Sequence, residues 1–235
     1  LSIFSQPNLN TRSIFNQILP DQPCMLCGSM SHGLWCDACD AALPYLNAPH
    51  CPVCALPTPI GEICGHCLKK PPLFTRTLAV FGYRFPVDKL IQQMKYHEQL
   101  ALSRAFAEKF VQRVDSLPDC LIAMPLHPAK LRSRGFNQAQ LIAAPVARAL
   151  NIPLLSVCRR LRDTPSQSSL PWRERSKNMR GAFVCDTDFT GKHVALMDDV
   201  LTTGASLNAL ADAVKKRGAE QISAWVIART LAHDS

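Results

Sequence analysis

Apolar runs and alternations along the chain predict strands and helices in turn from about residue 78 onward. Four consecutive apolar residues, Val194 to Met197, read as a strand buried on both faces, the kind found inside a parallel sheet. Cys120–Met124 and Ile222–Ala228 repeat that pattern, Leu78–Phe85 alternates in strand fashion, and Leu154–Cys158 is a further strand. Helical spacing fills the intervals: Asp88–Lys95, Ala101–Val114, a stretch reaching about Leu150, and the face Leu207, Leu210, Ala211, Val214. A turn or hairpin runs through Ala182–Val184. Near the N-terminus, Ile14, Phe15, Ile18 and Leu19 lie on one face of a short helix that ends before Pro20. The pattern predicts an α/β fold with a parallel sheet flanked by helices.

Residues 23–69 break the pattern. They hold eight of the eleven cysteines as four C-x-x-C pairs: Cys24/Cys27, Cys36/Cys39, Cys51/Cys54 and Cys64/Cys67. Eight residues separate Cys27 from Cys36 and nine separate Cys54 from Cys64, so two pairs can close a tetrahedral thiolate site, twice over. Gly28, Gly65 and Pro52 supply turn chemistry for the knuckles. The expected module is a double zinc ribbon with two structural zinc ions, one on Cys24, Cys27, Cys36 and Cys39, the other on Cys51, Cys54, Cys64 and Cys67. A cross-brace pairing alternate knuckles stays open at this stage. Four disulfides are disfavoured in a cytosolic setting. Large apolar residues are too few here for folding without metal, which should supply the folding energy. Cys120, Cys158 and Cys185 read as isolated small core residues. The chain thus divides into an N-terminal helical segment (1–22), a double zinc ribbon (23–70) and an α/β domain (71–235), with Lys69-Lys70-Pro71-Pro72 as linker.

Composition sharpens this picture in two respects. An apolar content of 47% in 235 residues describes a core-forming chain, and no run of about 18 apolar residues suggests a membrane span. With no signal-peptide pattern at the N-terminus, a cytoplasmic protein is expected. The net charge of +8 is concentrated: residues 125–180 carry eleven Lys/Arg against two acids, so the whole excess lies there. An anionic partner is expected at that segment, either a phosphate-rich small molecule or nucleic acid.

Two stretches carry the candidate chemistry. After Val194–Met197 come Asp198 and Asp199, expected at the strand's end and facing one mouth, then Thr202, Thr203, Gly204, Ala205 and Ser206, where a helix opens. Strand, loop and helix in that order aim backbone N–H groups and a helix N-terminus at an anion. Gly204 admits close backbone approach, and the two acids suit sugar hydroxyls or a Mg²⁺ shell. No G-x-x-x-x-G-K-[ST] occurs, which argues against a P-loop NTPase. The second stretch follows the strand Cys120–Met124: Leu126, His127, Lys130, Arg132, Arg134 and Gly135. A basic, glycine-containing loop there is a natural pyrophosphate site.

The loop from Val194 to Ser206 resembles the ribose-phosphate loop of type I phosphoribosyltransferases. Taken with the double ribbon, Lys95-Tyr96, Pro125-Leu126-His127-Pro128, Arg134-Gly135-Phe136-Asn137-Gln138 and Thr164-Pro165-Ser166-Gln167, the chain resembles the ComF family, specifically its GntX-like branch. That resemblance implies a type I phosphoribosyltransferase-like domain binding phosphoribosyl pyrophosphate with Mg²⁺. It also implies a role in DNA uptake, natural transformation or DNA utilisation; single-stranded DNA, tracked by the basic segment, and DNA-uptake or recombination proteins are the expected partners. Asp198 and Asp199 would hold the ribose hydroxyls, Thr202–Ser206 the 5′-phosphate, and His127, Lys130, Arg132 and Arg134 the pyrophosphate. A mobile loop would present Arg162, Thr164, Gln167, Arg173 and Asn178. Thr202 stands where purine-salvage members carry an acid, so that subgroup's general base is missing. Only Arg229–Ser235 follows the last strand, so the linker or the zinc ribbon is the candidate cover for an acceptor base. Whether the domain is an active Mg²⁺-dependent nucleobase phosphoribosyltransferase of nucleotide salvage, or a DNA-handling protein that keeps the ligand site, stays open at this stage.

Overall fold

A computed structural model of the chain describes residues 21–96, 100–162 and 181–231. In chain order its elements are β1 (Gln22–Pro23), β2 (Met30–Ser31), α1 (Asp37–Ala41), α2 (Gly65–Lys69), β3 (Arg76–Gly82), α3 (Val87–Tyr96), α4 (Leu100–Val111) and β4 (Cys120–Ala123). They continue with α5 (Pro128–Arg134), α6 (Gln138–Leu150), β5 (Cys158–Arg160), β6 (Phe183–Cys185), β7 (His193–Leu201), α7 (Ala205–Lys215) and β8 (Gln221–Arg229). The expected N-terminal helix over Ile14–Leu19 lies outside the described residues. Contacts divide the chain into two compact units, Leu1–Ala41 and Ala42–Ser235, so the second cysteine set belongs to the same unit as the sheet.

The sheet order is β3-β8-β7-β4, and every pairing is parallel. Every residue of β4 is buried, as are all of β8 after Gln221, which is why these strands read as unbroken apolar runs. Helices α4 and α6 pack on each other and α6 on β4 and β7, while α7 lies against β6, β7 and β8. This is the parallel sheet flanked by helices that the apolar pattern predicts. Leu154 makes only an isolated parallel bridge to Leu121, so the expected strand Leu154–Cys158 is not a full strand; the regular element starts at Cys158 and pairs antiparallel with β6.

Cys158 and Cys185 are not isolated core residues. They face each other across β5 and β6 and are joined in a disulfide. Their separation in sequence hid the pairing, because the register of a hairpin around a long connection is not written in apolar periodicity. Cys120 is buried, as expected.

The outer edge of β3 is covered. Residues 44–46 run antiparallel to it: the Leu46 N–H donates to the Val80 carbonyl at 2.9 Å and the Gly82 N–H to the Pro44 carbonyl at 2.8 Å. Tyr45 stacks on Phe81 at 4.7 Å between centroids, and Arg113 sits 5.2 Å from the Tyr45 ring. Thr77 donates its N–H to Pro52 and its hydroxyl to Val53. The second cysteine segment thereby closes an edge that would otherwise offer unpaired backbone groups. Among the described residues no helix is long and apolar enough to cross a membrane.

Candidate functional site

Strand β7 runs on through both acids to Leu201, beyond the end its apolar run predicts. Successive residues of a strand alternate faces. Asp199 is buried and Asp198 half-buried, so the two carboxylates leave the strand on opposite sides instead of sharing one mouth. Asp198 Oδ1 accepts the Asp199 N–H at 2.9 Å, and Asp199 Oδ1 accepts the Val200 N–H at 2.8 Å. Asp198 is thus the more accessible of the two carboxylates, and Asp199 is built into the strand end.

Thr202 and Thr203 then form a tight bend, and Gly204 caps α7 with φ of 77°. A Cβ at Gly204 would meet Leu201 and Phe74 only at ordinary contact distance, so glycine is required there by its left-handed backbone rather than by lack of room. Thr203 Oγ1 accepts the Ala205 N–H at 3.4 Å. The eleven residues of α7 place their N-terminal N–H groups at this loop, a ready anion cradle.

The basic stretch leaves the neighbouring strand at the same end of the sheet: the Met124 N–H donates to Met197 at 2.8 Å. It is a short helix, α5, and not a loop. His127 caps it by accepting the Ala129 N–H through Nδ1, Pro128 opens it, and Gly135, at φ of 83°, ends it. Arg134 reaches forward to Gln138, and Asn137 ties the start of α6 to the end of β4 by donating to the Met124 carbonyl at 3.0 Å while capping α6. Leu126, His127 and Lys130 are half-buried and Arg132 is exposed. Of the residues expected on a mobile loop, Arg162 is exposed beyond β5, whereas Thr164, Gln167, Arg173 and Asn178 lie outside the described residues.

The eight ribbon cysteines assemble in sequence order, Cys24/Cys27/Cys36/Cys39 and Cys51/Cys54/Cys64/Cys67, the sulfurs of each set all within 4.8 Å of one another. A cross-brace is therefore excluded. Cys27 and Cys36 sulfurs are 3.7 Å apart, Cys54 and Cys64 sulfurs 3.6 Å. Tetrahedral zinc with bonds of about 2.3 Å needs sulfurs about 3.8 Å apart. The first knuckle turns at Gly28; in the second the left-handed residue is Ala55, at φ of 56°, while Gly65 opens α2.

The thiols within each set are unequal. Burial pushes Cys24 and Cys51 up, but backbone N–H groups aimed at their sulfurs outweigh it and bring them down to about 6 and about 7. Cys39 is pushed up to about 12, first by its bond to Cys27, and Cys54 to about 11, first by burial. Burial, then the neighbouring thiol of Cys54, also raises Cys67. Four thiolates this close cannot ionise together without a cation, and the donor set fits a closed structural zinc site.

A cavity of ≈ 300 Å³ adjoins the hydroxyl loop. One wall is Thr202, Thr203, Gly204 and Ala205; the facing wall comes from the second ribbon and linker, including Leu56, His66, Lys70, Pro71, Pro72 and Phe74. Arg229 also lines it, 7% exposed, with its charge disfavoured first by burial and favoured by Cys54, Cys67 and Cys64. Sequence reasoning missed this arginine. Its one signal was a charge placed directly after the apolar run Ile222–Ala228.

Comparison with known proteins agrees with both halves. Residues 14–68 match the double zinc ribbon domain and residues 137–233 the phosphoribosyl transferase domain. The chain is 32% identical over 221 residues to DNA utilization protein YhgH of Escherichia coli K12, covering 88% of this chain and 97% of that one. It is 31% identical to Competence protein F of Haemophilus influenzae (83% of this chain, 90% of that one) and 24% identical to Competence protein ComFC of Bacillus subtilis (83% and 84%). Among solved structures, a purine phosphoribosyltransferase from Pyrococcus horikoshii aligns with a TM-score of 0.33 at 18% identity, over 68% of this chain and 94% of that one.

Proposed function

The chain belongs to the ComF family, which joins a double zinc ribbon to a phosphoribosyltransferase domain, and we propose that it serves DNA uptake or utilisation in the cytoplasm by binding phosphoribosyl pyrophosphate with Mg²⁺ and single-stranded DNA. The relatives' names supply the process: DNA utilization for one, competence for two others. One observation carries the ligand: the hydroxyl-rich bend capped by left-handed Gly204 at the N-terminus of α7, directly beyond Asp198 and Asp199. Backbone N–H groups and the hydroxyls of Thr202, Thr203 and Ser206 receive the 5′-phosphate. Asp198 orients the ribose hydroxyls, and Mg²⁺, when bound, offsets pyrophosphate charge. His127, Lys130, Arg132 and Arg134 supply the remaining positive charge from the adjacent strand end. The wider basic excess over residues 125–180 supports contact with a nucleic-acid backbone and DNA-uptake or recombination proteins that carry it.

A second reading, an active nucleobase phosphoribosyltransferase of nucleotide salvage, is favoured by the cavity. Phe74, Pro71, Pro72 and Leu56 offer apolar surface for a planar base beside the hydroxyl-rich loop, the covering role expected of the linker and ribbon. Positioning and charge stabilisation would then do most of the catalytic work.

Calorimetric titration with phosphoribosyl pyrophosphate, with and without Mg²⁺, tests the ligand. Binding should require Mg²⁺ and weaken at least about tenfold in Asp198→Asn, the usual scale of one charge-assisted contact. Equal binding by the variant would remove the phosphoribosyl reading. Titration of a single-stranded oligonucleotide at two salt concentrations tests the other half, since each neutralised phosphate contributes about 0.7 to the log–log salt slope. A slope near zero would exclude backbone tracking.

A further inference from the structure

Arg229 closes β8, paired in register with Leu201 on one side and Gly82 on the other. Its guanidinium joins two parts of the larger unit that lie far apart in sequence. Nε donates to the Cys54 carbonyl at 2.8 Å; Nη1 donates to the carbonyls of Leu201, Thr202 and Thr230 at 2.8, 2.6 and 2.9 Å. Cys54 is a ligand of the second cysteine set, and Leu201 and Thr202 begin the phosphate loop. Only a planar fork of donors reaches both at once; a lysine ammonium could not.

All these acceptors are neutral carbonyls, yet a buried charge requires a compensating one. The second cysteine set provides it. Four thiolates around one Zn²⁺ carry a net charge of about −2, and Cys54 and Cys67 border the same cavity as Arg229 and Thr202.

We propose that Arg229 is a positioning residue that couples the second zinc site to the phosphate loop, so that zinc at Cys51, Cys54, Cys64 and Cys67 and a phosphoribosyl ligand at Thr202–Ser206 stabilise each other's binding. Losing the metal dismantles both the countercharge and the fixed Cys54 carbonyl. Arg229 then no longer holds Leu201 and Thr202, and the loop loses its preset shape. The ligand half of this coupling rests on the phosphoribosyl reading; the link between zinc and loop does not.

The experiment uses the full chain carrying Cys24→Ser/Cys27→Ser, so that the zinc counted is that of the second site. Hydrogen exchange across residues 201–206 and calorimetric affinity for ribose 5-phosphate are measured with zinc bound and after chelation. Chelation should speed exchange of Thr202–Ser206 and weaken ribose 5-phosphate by roughly 5- to 150-fold, and ribose 5-phosphate should strengthen zinc binding by the same factor. In Arg229→Met and Arg229→Lys the loop should exchange fast already, and that factor should fall to about 1. Unchanged exchange and affinity after zinc removal would overturn the inference, as would coupling of wild-type size in both Arg229 variants. Exchange that rises equally throughout β4, β7 and β8 would also overturn it, making zinc a general stabiliser. If the zinc-loaded chain does not bind ribose 5-phosphate at all, the phosphoribosyl reading falls with the ligand half, and the exchange data still decide the zinc–loop link.

Discussion

Gly204 illustrates how one residue answers two different structural questions. An added Cβ has space, at 3.5 Å from Leu201 and 3.8 Å from Phe74, but φ of 77° disfavours any side chain. Gly204→Ala should therefore lower stability by about 1–2 kcal/mol through backbone strain, and Gly204→Asn by less, because asparagine visits the left-handed region more readily. Urea unfolding of the two variants checks the order; equal losses would point to crowding instead. The acids teach the complementary lesson. Two adjacent aspartates suggest a pair, yet strand alternation separates them, and only Asp198 keeps appreciable exposure.

Among the elements, α5 is the one whose character changed most between sequence and structure. Its glycine and spaced cations suggested a loop, whereas His127, Pro128 and Gly135 are start and stop signals for a single short helix. Asn137, three residues past the end of that helix, caps the next one, α6, by accepting the Ala139 N–H, and ties its start to the end of β4 by donating to Met124. Asn137→Ala should cost about 0.5–2 kcal/mol as a lost cap, measurable by denaturant unfolding. Because the tie to β4 is lost as well, affinity for phosphoribosyl pyrophosphate should fall in the same variant. The covered edge of β3 shows the same economy: the segment that holds metal ligands also completes the sheet.

At the scale of the whole molecule the two cysteine sets differ in surroundings. In the first set Cys24 and Cys27 are shifted down and Cys39 up, whereas in the second set burial holds both Cys54 and Cys67 up and backbone N–H groups bring Cys51 down to about 7. Protons compete with zinc for thiolate, so affinity at either site falls as pH falls, and the set whose thiols resist ionisation loses metal first. Acidification should thus empty the second site at a higher pH than the first. Zinc release followed with a chromogenic indicator, with Cys24→Ser/Cys27→Ser marking the second-site step, checks this; release in the opposite order would contradict it.

The sequence by itself determined the parallel sheet, the double ribbon and the place of the hydroxyl-rich turn between β7 and α7. Each rests on local information: fully buried strands are apolar at every position, zinc knuckles need two cysteines with two residues between them, and a bend into a helix start shows in its hydroxyls and glycine. Tertiary structure alone decided which cysteines share a metal, that Cys158 meets Cys185, that the second ribbon covers β3, and that Arg229 lies between Cys54 and Thr202. Those are contacts between residues distant in the chain. They depend on strand register and on where buried charge finds its partner, and neither leaves a periodic trace in the sequence.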